Sequence, residues 1–316
     1  MRSRRDFVKT TAAGTASLAA AADGIPRRPL GRTGLEVSIF GLGGAPTGLL
    51  ADGQKALEVI RRCYDLGVNY FDASASASYG LSQVRYGLAF KGLRDKIVLA
   101  TKTRQRTFTQ AEVDLNLSLR QLQTDRIDLY QIHNLTSDED LDFLFGPRGA
   151  MELIEKAKQA GKIRFVGITC HGDPALLNRA LERYPFDTVL MTLNLADGAN
   201  QQKSFEKTTL PVALKKGLGV IAMKTLAGGN LLRRKAATAK ECLSYVWSLP
   251  VSAAVPGCQD IEQVETDAAV ARAAKPLSKT AMEALRRRVA SLEFAALEPW
   301  KGLPAASGER TVYRAD

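Results

Sequence analysis

Four side chains that can donate, accept or stabilise a proton follow three successive apolar segments of this 316-residue chain. Asp72 ends the run VNYF and precedes a loop of small residues that ends in Tyr79. Lys102 closes the apolar segment of IVLATKT, and His133 closes that of IDLYQIHN. Short apolar runs bounded by polar or small residues predict buried strands. A carboxylate, a phenol, an ammonium and an imidazole at equivalent strand ends predict general acid–base chemistry.

Strand-like runs alternate with helix-like apolar spacing through most of the chain, which predicts a (β/α)8 TIM barrel in the α/β class. An open, doubly wound sheet is the alternative, but GLGGAP lacks the third glycine of a dinucleotide fingerprint. In a barrel the carboxyl ends of the strands share one mouth, so the four side chains should meet there. The predicted strands are 37–42, 68–71, 97–100, 127–132, 163–168, 188–191, 219–223 and 253–255.

Two additions to the barrel are expected. The turn at Gly31 to Gly34, between short extended segments, predicts an N-terminal β-hairpin. Helical spacing from Leu277 to Phe294, followed by an irregular stretch, predicts a C-terminal helix and tail within 275–316. We therefore expect a single barrel domain over 23–316.

Residues 1–22 read as a targeting segment. A basic start precedes a weakly apolar run of Ala, Thr, Ser and Gly that ends in three alanines, and it is too short and mild for a stable membrane anchor. The stretch SRRDFVK resembles the twin-arginine export motif of bacteria. That resemblance implies the twin-arginine export machinery as a partner and a periplasmic or otherwise exported location.

Composition limits the other function classes. The net charge of +11 is moderate once the basic leader is set aside, and no basic run with interleaved aromatic residues predicts a nucleic-acid partner. Four widely spaced cysteines and only two histidines predict no metal site. Cys63 and Cys242 lie in helical patterns, where buried free thiols are common, although disulfides are the alternative in an exported protein.

The sequence after the leader resembles the aldo-keto reductase family over nearly its whole length. RPLGRTGLEVSIFGLGG is similar to the entry hairpin and first strand, and GVNYFDASASASYG is similar to the segment that carries the family's aspartate and tyrosine. VLATK and DLYQIHN resemble its lysine and histidine strands. GKIRFVGIT, GVIAMKTLAGG and VPGCQDIEQVETD resemble the segments that hold a nicotinamide cofactor.

This resemblance implies an NAD(P)H-dependent oxidoreductase that transfers a hydride to the carbonyl of an aldehyde or ketone. Tyr79 would be the general acid, supported by Lys102 and Asp72, and His133 would orient and polarise the carbonyl. A free phenol has a pKa of about 10, and a neighbouring ammonium is expected to lower it. The ammonium needs a counter-ion in a closed site, which Asp72 supplies.

The resemblance also implies a set of cofactor-binding residues. Met223 stands where an aromatic side chain often stacks on the nicotinamide, and Asn194 is the nearest amide to the position of the family's amide-bearing side chain. Gly257 and Gln263 stand where relatives that bind NADP often carry basic residues, and the arginine that would best clamp the 2′-phosphate is absent here. NADP is expected because it is the family's usual cofactor, and NAD is possible. The full set is Thr169, Asn194, Met223, Lys224, Thr225, Leu226, Gly228, Gly257 and Gln263.

The alternative to a reductase is a barrel of the same fold that binds a nucleotide or other ligand without catalysis. Two loops bear on the choice between these functions. Six residues separate Asp72 from Tyr79, two more than is usual in the family, and the excess must bulge outward for the phenol to reach the site. After His133, an acidic and then aromatic loop is expected to form part of the mouth wall. Phe143 and Phe145 would line an apolar substrate site there, unless the loop is simply solvated.

Overall fold

The protein forms a parallel barrel, as a computed structural model of residues 24–302 shows. Eight parallel strands lie side by side in the order in which they occur along the chain. The predicted (β/α)8 fold is thereby confirmed. The barrel strands are β3 (Leu42–Gly43), β4 (Tyr70–Asp72), β5 (Val98–Thr103), β6 (Ile127–Ile132), β7 (Ile163–Cys170), β8 (Thr188–Thr192), β9 (Gly219–Met223) and β10 (Ala253–Ala254).

The first and last barrel strands meet and close the sheet. Phe40 and Ala254 form a parallel bridge. The Gly41 amide donates to the Ala254 carbonyl at 2.8 Å, and the Ala254 amide donates to the Ile39 carbonyl at 2.8 Å. Closure satisfies the backbone groups that an edge strand would leave open.

Helices surround the barrel, and several begin at side-chain caps that the sequence shows. The Asp52 carboxylate accepts from two amides of the first turn that follows it, and Thr238 and Glu241 form a capping box. The helices are α1 (Gly44–Leu49), α2 (Gly53–Asp65), α3 (Ser82–Ala89), α4 (Phe108–Gln121), α5 (Asp138–Phe145), α6 (Ala150–Gln159), α7 (Pro174–Arg183), α8 (Leu195–Ala199), α9 (Phe205–Thr208), α10 (Leu210–Lys215), α11 (Asn230–Arg233), α12 (Ala239–Ser248), α13 (Ile261–Arg272), α14 (Lys279–Ala290) and α15 (Phe294–Leu297).

The N-terminal hairpin pairs β1 (Arg27–Pro29) with β2 (Glu36–Ser38), and it includes residues that were expected in the first barrel strand. The Asn69 side chain accepts from the Ser38 amide at 2.7 Å and donates to the Glu36 carbonyl at 2.9 Å. These bonds tie the hairpin to the start of β4. The predicted strand 37–42 is therefore divided between the hairpin and β3.

The hairpin turn packs closely against the barrel at Gly31. This glycine has a φ of +55°, and a Cβ there would lie 2.5 Å from the carbonyl carbon of Leu218. We expect Gly31→Ala to lower the free energy of unfolding by about 3 kcal/mol, from backbone strain and overpacking together. Gly34→Ala is the matched control, because its φ of +74° lies in the same region but its Cβ would meet nothing within 4 Å. Urea unfolding that shows equal losses for the two variants would contradict the close packing.

The core has two layers. One cluster fills the barrel and includes Tyr70, Leu129, Leu190 and Ile221, while the larger cluster lies between the strands and the helices. The four cysteines are buried free thiols. Among residues 24–302, no helix is both long and apolar enough to cross a membrane. The proposed leader, 1–22, lies outside the described residues, as does the tail beyond Gly302.

Candidate active site

Three neighbouring strands bring the predicted acid–base residues to one end of the barrel. Asp72 is the last residue of β4, Lys102 is the fifth of six residues of β5, and His133 directly follows β6. The strands β4, β5 and β6 pair in parallel and in register, so their carboxyl ends lie together. The barrel thus places the three side chains as the strand-end pattern predicted.

Lys102 is the centre of the hydrogen-bond network. Its buried ammonium lies 2.5 Å from Asp72 Oδ2, donates to the Ala73 carbonyl at 2.8 Å and lies 3.2 Å from the Tyr79 phenol oxygen. Gln131 Nε2 donates to the other oxygen of Asp72 at 3.0 Å. Sequence reasoning missed Gln131. This residue is on β6, two positions before His133, and side chains two positions apart along an extended chain point to the same face.

The electrostatics favour a protonated phenol. Burial alone would lower the pKa of Lys102, but Asp72 and Tyr79 raise it overall, so the amine stays cationic. Burial raises the pKa of Asp72, and the ammonium offsets only part of that rise. Burial also raises the pKa of Tyr79, and Lys102 lowers it by less. The expected fall in the pKa of Tyr79 is therefore wrong, because desolvation outweighs the neighbouring cation.

The longer loop after Asp72 still delivers Tyr79 to the site. A 3-10 turn at Ala77–Tyr79 follows the extra residues and brings the phenol back to Lys102. The Tyr79 ring stands edge-to-face against His133, with 5.7 Å between ring centroids. Small residues allow the chain to bulge here, and Ser74 Oγ accepts from the Ser76 amide at 3.1 Å within the bulge.

A second imidazole lies beside His133, and sequence reasoning did not find it. The rings of His171 and His133 are 6.1 Å apart. His171 Nδ1 lies 2.9 Å from Asn134 Oδ1, and burial together with nearby cations lowers the pKa of His171 to about 3. Burial, followed by the charge of Lys102, lowers the pKa of His133 as well. The position of His171 directly after β7 was the signal that could have identified it.

The depressed pKa of His171 predicts acid sensitivity. An unfolded histidine titrates near pH 6.5 and the folded one near pH 3, so the unfolded state binds more protons between these values. The contribution of neutral His171 to the free energy of unfolding is complete above about pH 6.5, and it declines as the pH falls below that value. We expect His171→Gln to lose less unfolding free energy than the natural protein between about pH 7 and pH 5 in urea titrations. Parallel pH profiles for the two proteins would refute this assignment.

The segment after β9 contains five of the proposed cofactor residues. Met223 ends β9, and Lys224, Thr225, Leu226 and Gly228 form the following turn. Lys224 is exposed and has no carboxylate partner among residues 24–302. Partial desolvation by the neighbouring protein lowers its pKa. Thr225 is buried, and its hydroxyl makes no hydrogen bond within the described part of the chain. A cation without a carboxylate partner and a hydroxyl without a hydrogen bond, both beside glycine-rich backbone, suit the binding of an anionic group.

Two other proposed cofactor residues are engaged with the protein itself. Thr169 Oγ1 accepts from the Asn134 amide at 2.7 Å. The Asn194 amide is enclosed, accepts from the Asp197 amide at 2.9 Å as the cap of α8, and donates to Glu298 at 2.9 Å. A structural role therefore accounts for both ends of the Asn194 amide.

The last two proposed cofactor residues, Gly257 and Gln263, follow β10 along the chain. Gly257 packs against the ring of Pro46, and Gln263 is exposed in the first turn of α13. The Gln263 side chain accepts from the Gln259 amide at 2.9 Å, which closes the turn before the helix.

The last described segment crosses the same end of the barrel. The buried Lys301 ammonium is paired with Asp197 and lies 2.7 Å from Glu298 Oε2. Trp300 lies beside the turn after β9, with the Lys224 amine 5.3 Å from its ring centroid. The sequence could not show which end the C-terminal segment covers, and the structure places it at the mouth.

The expected aromatic wall does not form at the mouth. The stretch after His133 contains helix α5, which begins after Ser137, and the side chain of Ser137 accepts from the Asp140 amide. Phe145 packs against Tyr184 with 6.4 Å between ring centroids, and Phe143 is exposed. The expectation that this segment is a loop was wrong, because a serine cap followed by acidic residues in the first turn favours a helix.

The barrel and the acid–base cluster at its mouth define a (β/α)8 protein with a candidate active site. A family model described as the Aldo/keto reductase family matches residues 40–241, more than half of the chain. The protein therefore belongs to the aldo/keto reductase family.

Individual relatives support this assignment. L-galactose dehydrogenase of Arabidopsis thaliana is 33% identical over 221 residues, which cover 66% of this chain and 67% of that protein. The uncharacterized oxidoreductase YqkF of Bacillus subtilis is 28% identical over 229 residues, or 69% and 70% of the two chains. Aldo-keto reductase AKR11C1 from Bacillus halodurans, in its holo form, superposes with a TM-score of 0.69 at 27% identity, over 83% of this chain and 95% of that one.

Proposed function

We propose that the protein is an NAD(P)H-dependent reductase of aldehydes or ketones in which Tyr79 is the general acid. The observation that carries this proposal is the 3.2 Å separation between the Tyr79 phenol oxygen and the Lys102 ammonium, which in turn pairs with Asp72. A phenol with a raised pKa holds its proton at neutral pH, as a proton donor must. Its half-buried position beside a cation then favours transfer of that proton to a developing alkoxide.

Each residue of the site has a distinct part in this chemistry. The nicotinamide supplies the hydride when it is bound. Tyr79 gives its proton to the carbonyl oxygen, and Lys102 stabilises the phenolate that remains. Asp72 and Gln131 hold the ammonium and its counter-ion in place. His133, in edge-to-face contact with the Tyr79 ring, polarises the same carbonyl oxygen.

The cofactor would be held by the turn after β9. Lys224 and the Thr225 hydroxyl would bind its pyrophosphate, with backbone amides up to Gly228, and Met223 would provide an apolar surface for the nicotinamide. The family resemblance favours NADP. Neither Gly257 nor Gln263 supplies a positive charge for a 2′-phosphate, which keeps NAD as the alternative. The Bacillus halodurans relative is known in a holo and an apo form, which supports a bound cofactor in this fold.

The test is a fluorescence titration with NADPH and NADH, followed by turnover of a carbonyl panel. We expect saturable binding of at least one nucleotide and its oxidation by aldehydes. The panel should include aldoses, because the Arabidopsis thaliana relative is named for L-galactose. Lys224→Met should weaken nucleotide binding by about tenfold or more, as loss of a charged contact does. Lys156→Met, which removes an exposed lysine on α6, is the control.

Two results would count against this proposal in different ways. Absence of binding of either nucleotide would refute the cofactor assignment. Tight binding without turnover of any carbonyl would favour a ligand-binding barrel over a reductase.

We further propose that the protein is exported in its folded state by the twin-arginine machinery. The support is the sequence of residues 1–22, with its arginine pair, weakly apolar run and alanines. Replacing both Arg4 and Arg5 with lysine should leave the protein in the cytoplasmic fraction of bacteria that export the natural protein. Unchanged fractionation would remove the support for this route.

A further inference from the structure

The two histidines of the chain are both at the barrel mouth, and each contacts one polar side chain through Nδ1. His133 Nδ1 lies 3.1 Å from the Ser74 hydroxyl oxygen, and His171 Nδ1 lies 2.9 Å from Asn134 Oδ1. A neutral imidazole carries its proton on one nitrogen, and the partner of the other nitrogen decides which. These two contacts therefore determine which nitrogen of each ring carries the proton, and so whether Nε2 donates to a ligand or accepts from it.

The hydrogen bonds of Ser74 determine the tautomer of His133. The Ser74 hydroxyl oxygen already accepts from the Ser76 amide at 3.1 Å, and the side chain is buried. Its hydrogen needs an acceptor, and His133 Nδ1 is the one that the structure offers among residues 24–302. The Ser74 hydroxyl then donates to a bare Nδ1, which leaves the proton of His133 on Nε2.

Asn134 requires the opposite arrangement for His171. The Asn134 side-chain oxygen accepts from the His171 backbone amide at 3.3 Å, and this contact fixes which end of the Asn134 amide is the oxygen. An oxygen can only accept, so His171 Nδ1 must carry the proton that it donates to Asn134. His171 Nε2 is then a bare acceptor. Both rings have pKa values lowered below the usual histidine range, which keeps them neutral near pH 7.

We infer that His133 and His171 hold opposite tautomers, and that together they select a carbonyl substrate that bears a hydroxyl group near its carbonyl. The inference deepens the proposed reductase function and rests on it. His133 Nε2 donates to the carbonyl oxygen, while His171 Nε2 accepts from the hydroxyl. Ser74 and Asn134 act as positioning residues that hold the two rings in these forms.

The surroundings of the two rings agree with a polar substrate. The ring centroids are 6.1 Å apart, so one small molecule can contact both rings. Both aromatic residues expected to line an apolar site lie elsewhere, Phe145 against Tyr184 and Phe143 exposed on α5. Besides the proposed proton donor Tyr79 against His133, the Ser74 and Asn134 side chains contact the rings.

Nitrogen NMR of protein labelled with ¹⁵N-histidine tests the tautomers directly, because only two imidazoles contribute. We expect one ring with a protonated Nε2 and one with a protonated Nδ1, and the spectrum of His171→Gln identifies His133. Ser74→Ala should convert His133 into a mixture of tautomers. Ser78→Ala, in the exposed part of the same loop, should leave the spectrum unchanged. A proton on Nδ1 of His133 or on Nε2 of His171 in the natural protein overturns the inference.

Kinetics test the substrate class. His171→Phe should raise KM for glyceraldehyde about fivefold and change KM for propanal, which lacks the hydroxyls, by less than about twofold. His171→Gln retains an acceptor and should restore part of the preference. Ser74→Ala should lower kcat for both aldehydes about tenfold, less than the loss expected when a donor to the oxyanion is removed outright.

The outcomes separate this inference from the function beneath it. Turnover of both aldehydes with an equal response to His171→Phe would overturn the hydroxyl preference and leave the reductase assignment intact. Absence of turnover with any carbonyl would remove the reductase and the substrate preference together. The NMR spectrum would still decide the tautomers.

Discussion

Tyr79→Phe should lower kcat for carbonyl reduction by about 10²- to 10⁴-fold, the range expected for loss of a general acid. The variant removes one hydroxyl group and keeps the ring that packs against His133, so the fold and the cofactor affinity should be retained. Steady-state kinetics and a nucleotide titration on the same sample measure the two effects separately. We expect the dissociation constant of the nucleotide to stay within about twofold, since the hydroxyl contacts Lys102 within the protein.

Tyr64→Phe is the matched control for this variant. Tyr64 lies near the end of α2 and packs against Phe90, away from the strand ends that carry the site. Removal of the Tyr64 hydroxyl should leave kcat unchanged. If Tyr79→Phe retains full activity while Lys102→Met abolishes it, another group must donate the proton, and the role assigned to Tyr79 would be wrong.

Lys102→Met should cost stability as well as activity. The substitution leaves the Asp72 carboxylate buried without its counter-ion, and breaking a buried ion pair from one side typically costs about 3–5 kcal/mol. Both side chains of the pair are almost completely enclosed, so solvent screens little of this loss. Urea unfolding should show the reduced free energy, and activity should be lost because the phenolate would no longer have a stabilising cation.

Two comparisons isolate the electrostatic origin of that loss. The double variant Asp72→Asn, Lys102→Met should recover part of the stability, because it removes the uncompensated carboxylate. Lys156→Met breaks an ion pair that is about half exposed on both sides and should cost less than about 1 kcal/mol. Equal losses for Lys156→Met and Lys102→Met would show that burial of the Lys102 pair does not matter.

The sequence alone was sufficient to predict the barrel and the approximate place of the acid–base residues. Strand and helix periodicities are local properties, and parallel strands bring their carboxyl ends to one mouth whatever the loops do. Asp72, Lys102 and His133 each end or follow a strand, so their positions follow from the fold. Tyr79 comes from a loop of unusual length, and its distance from Lys102 needed the structure.

The tertiary structure alone decided the contacts that depend on residues distant in the chain. The bond from Asn194 to Glu298 joins positions 104 residues apart, and the neighbour of His133 at the mouth is His171 from the next strand. No local pattern specifies such partners, because they depend on how the closing segments pack over the barrel. The pKa of Tyr79 is a further case, since it reflects a balance between burial and a nearby charge. Sequence thus determined the fold and which acid–base side chains lie at the strand ends, and three-dimensional packing determined their protonation, their partners and the polarity of the space around them.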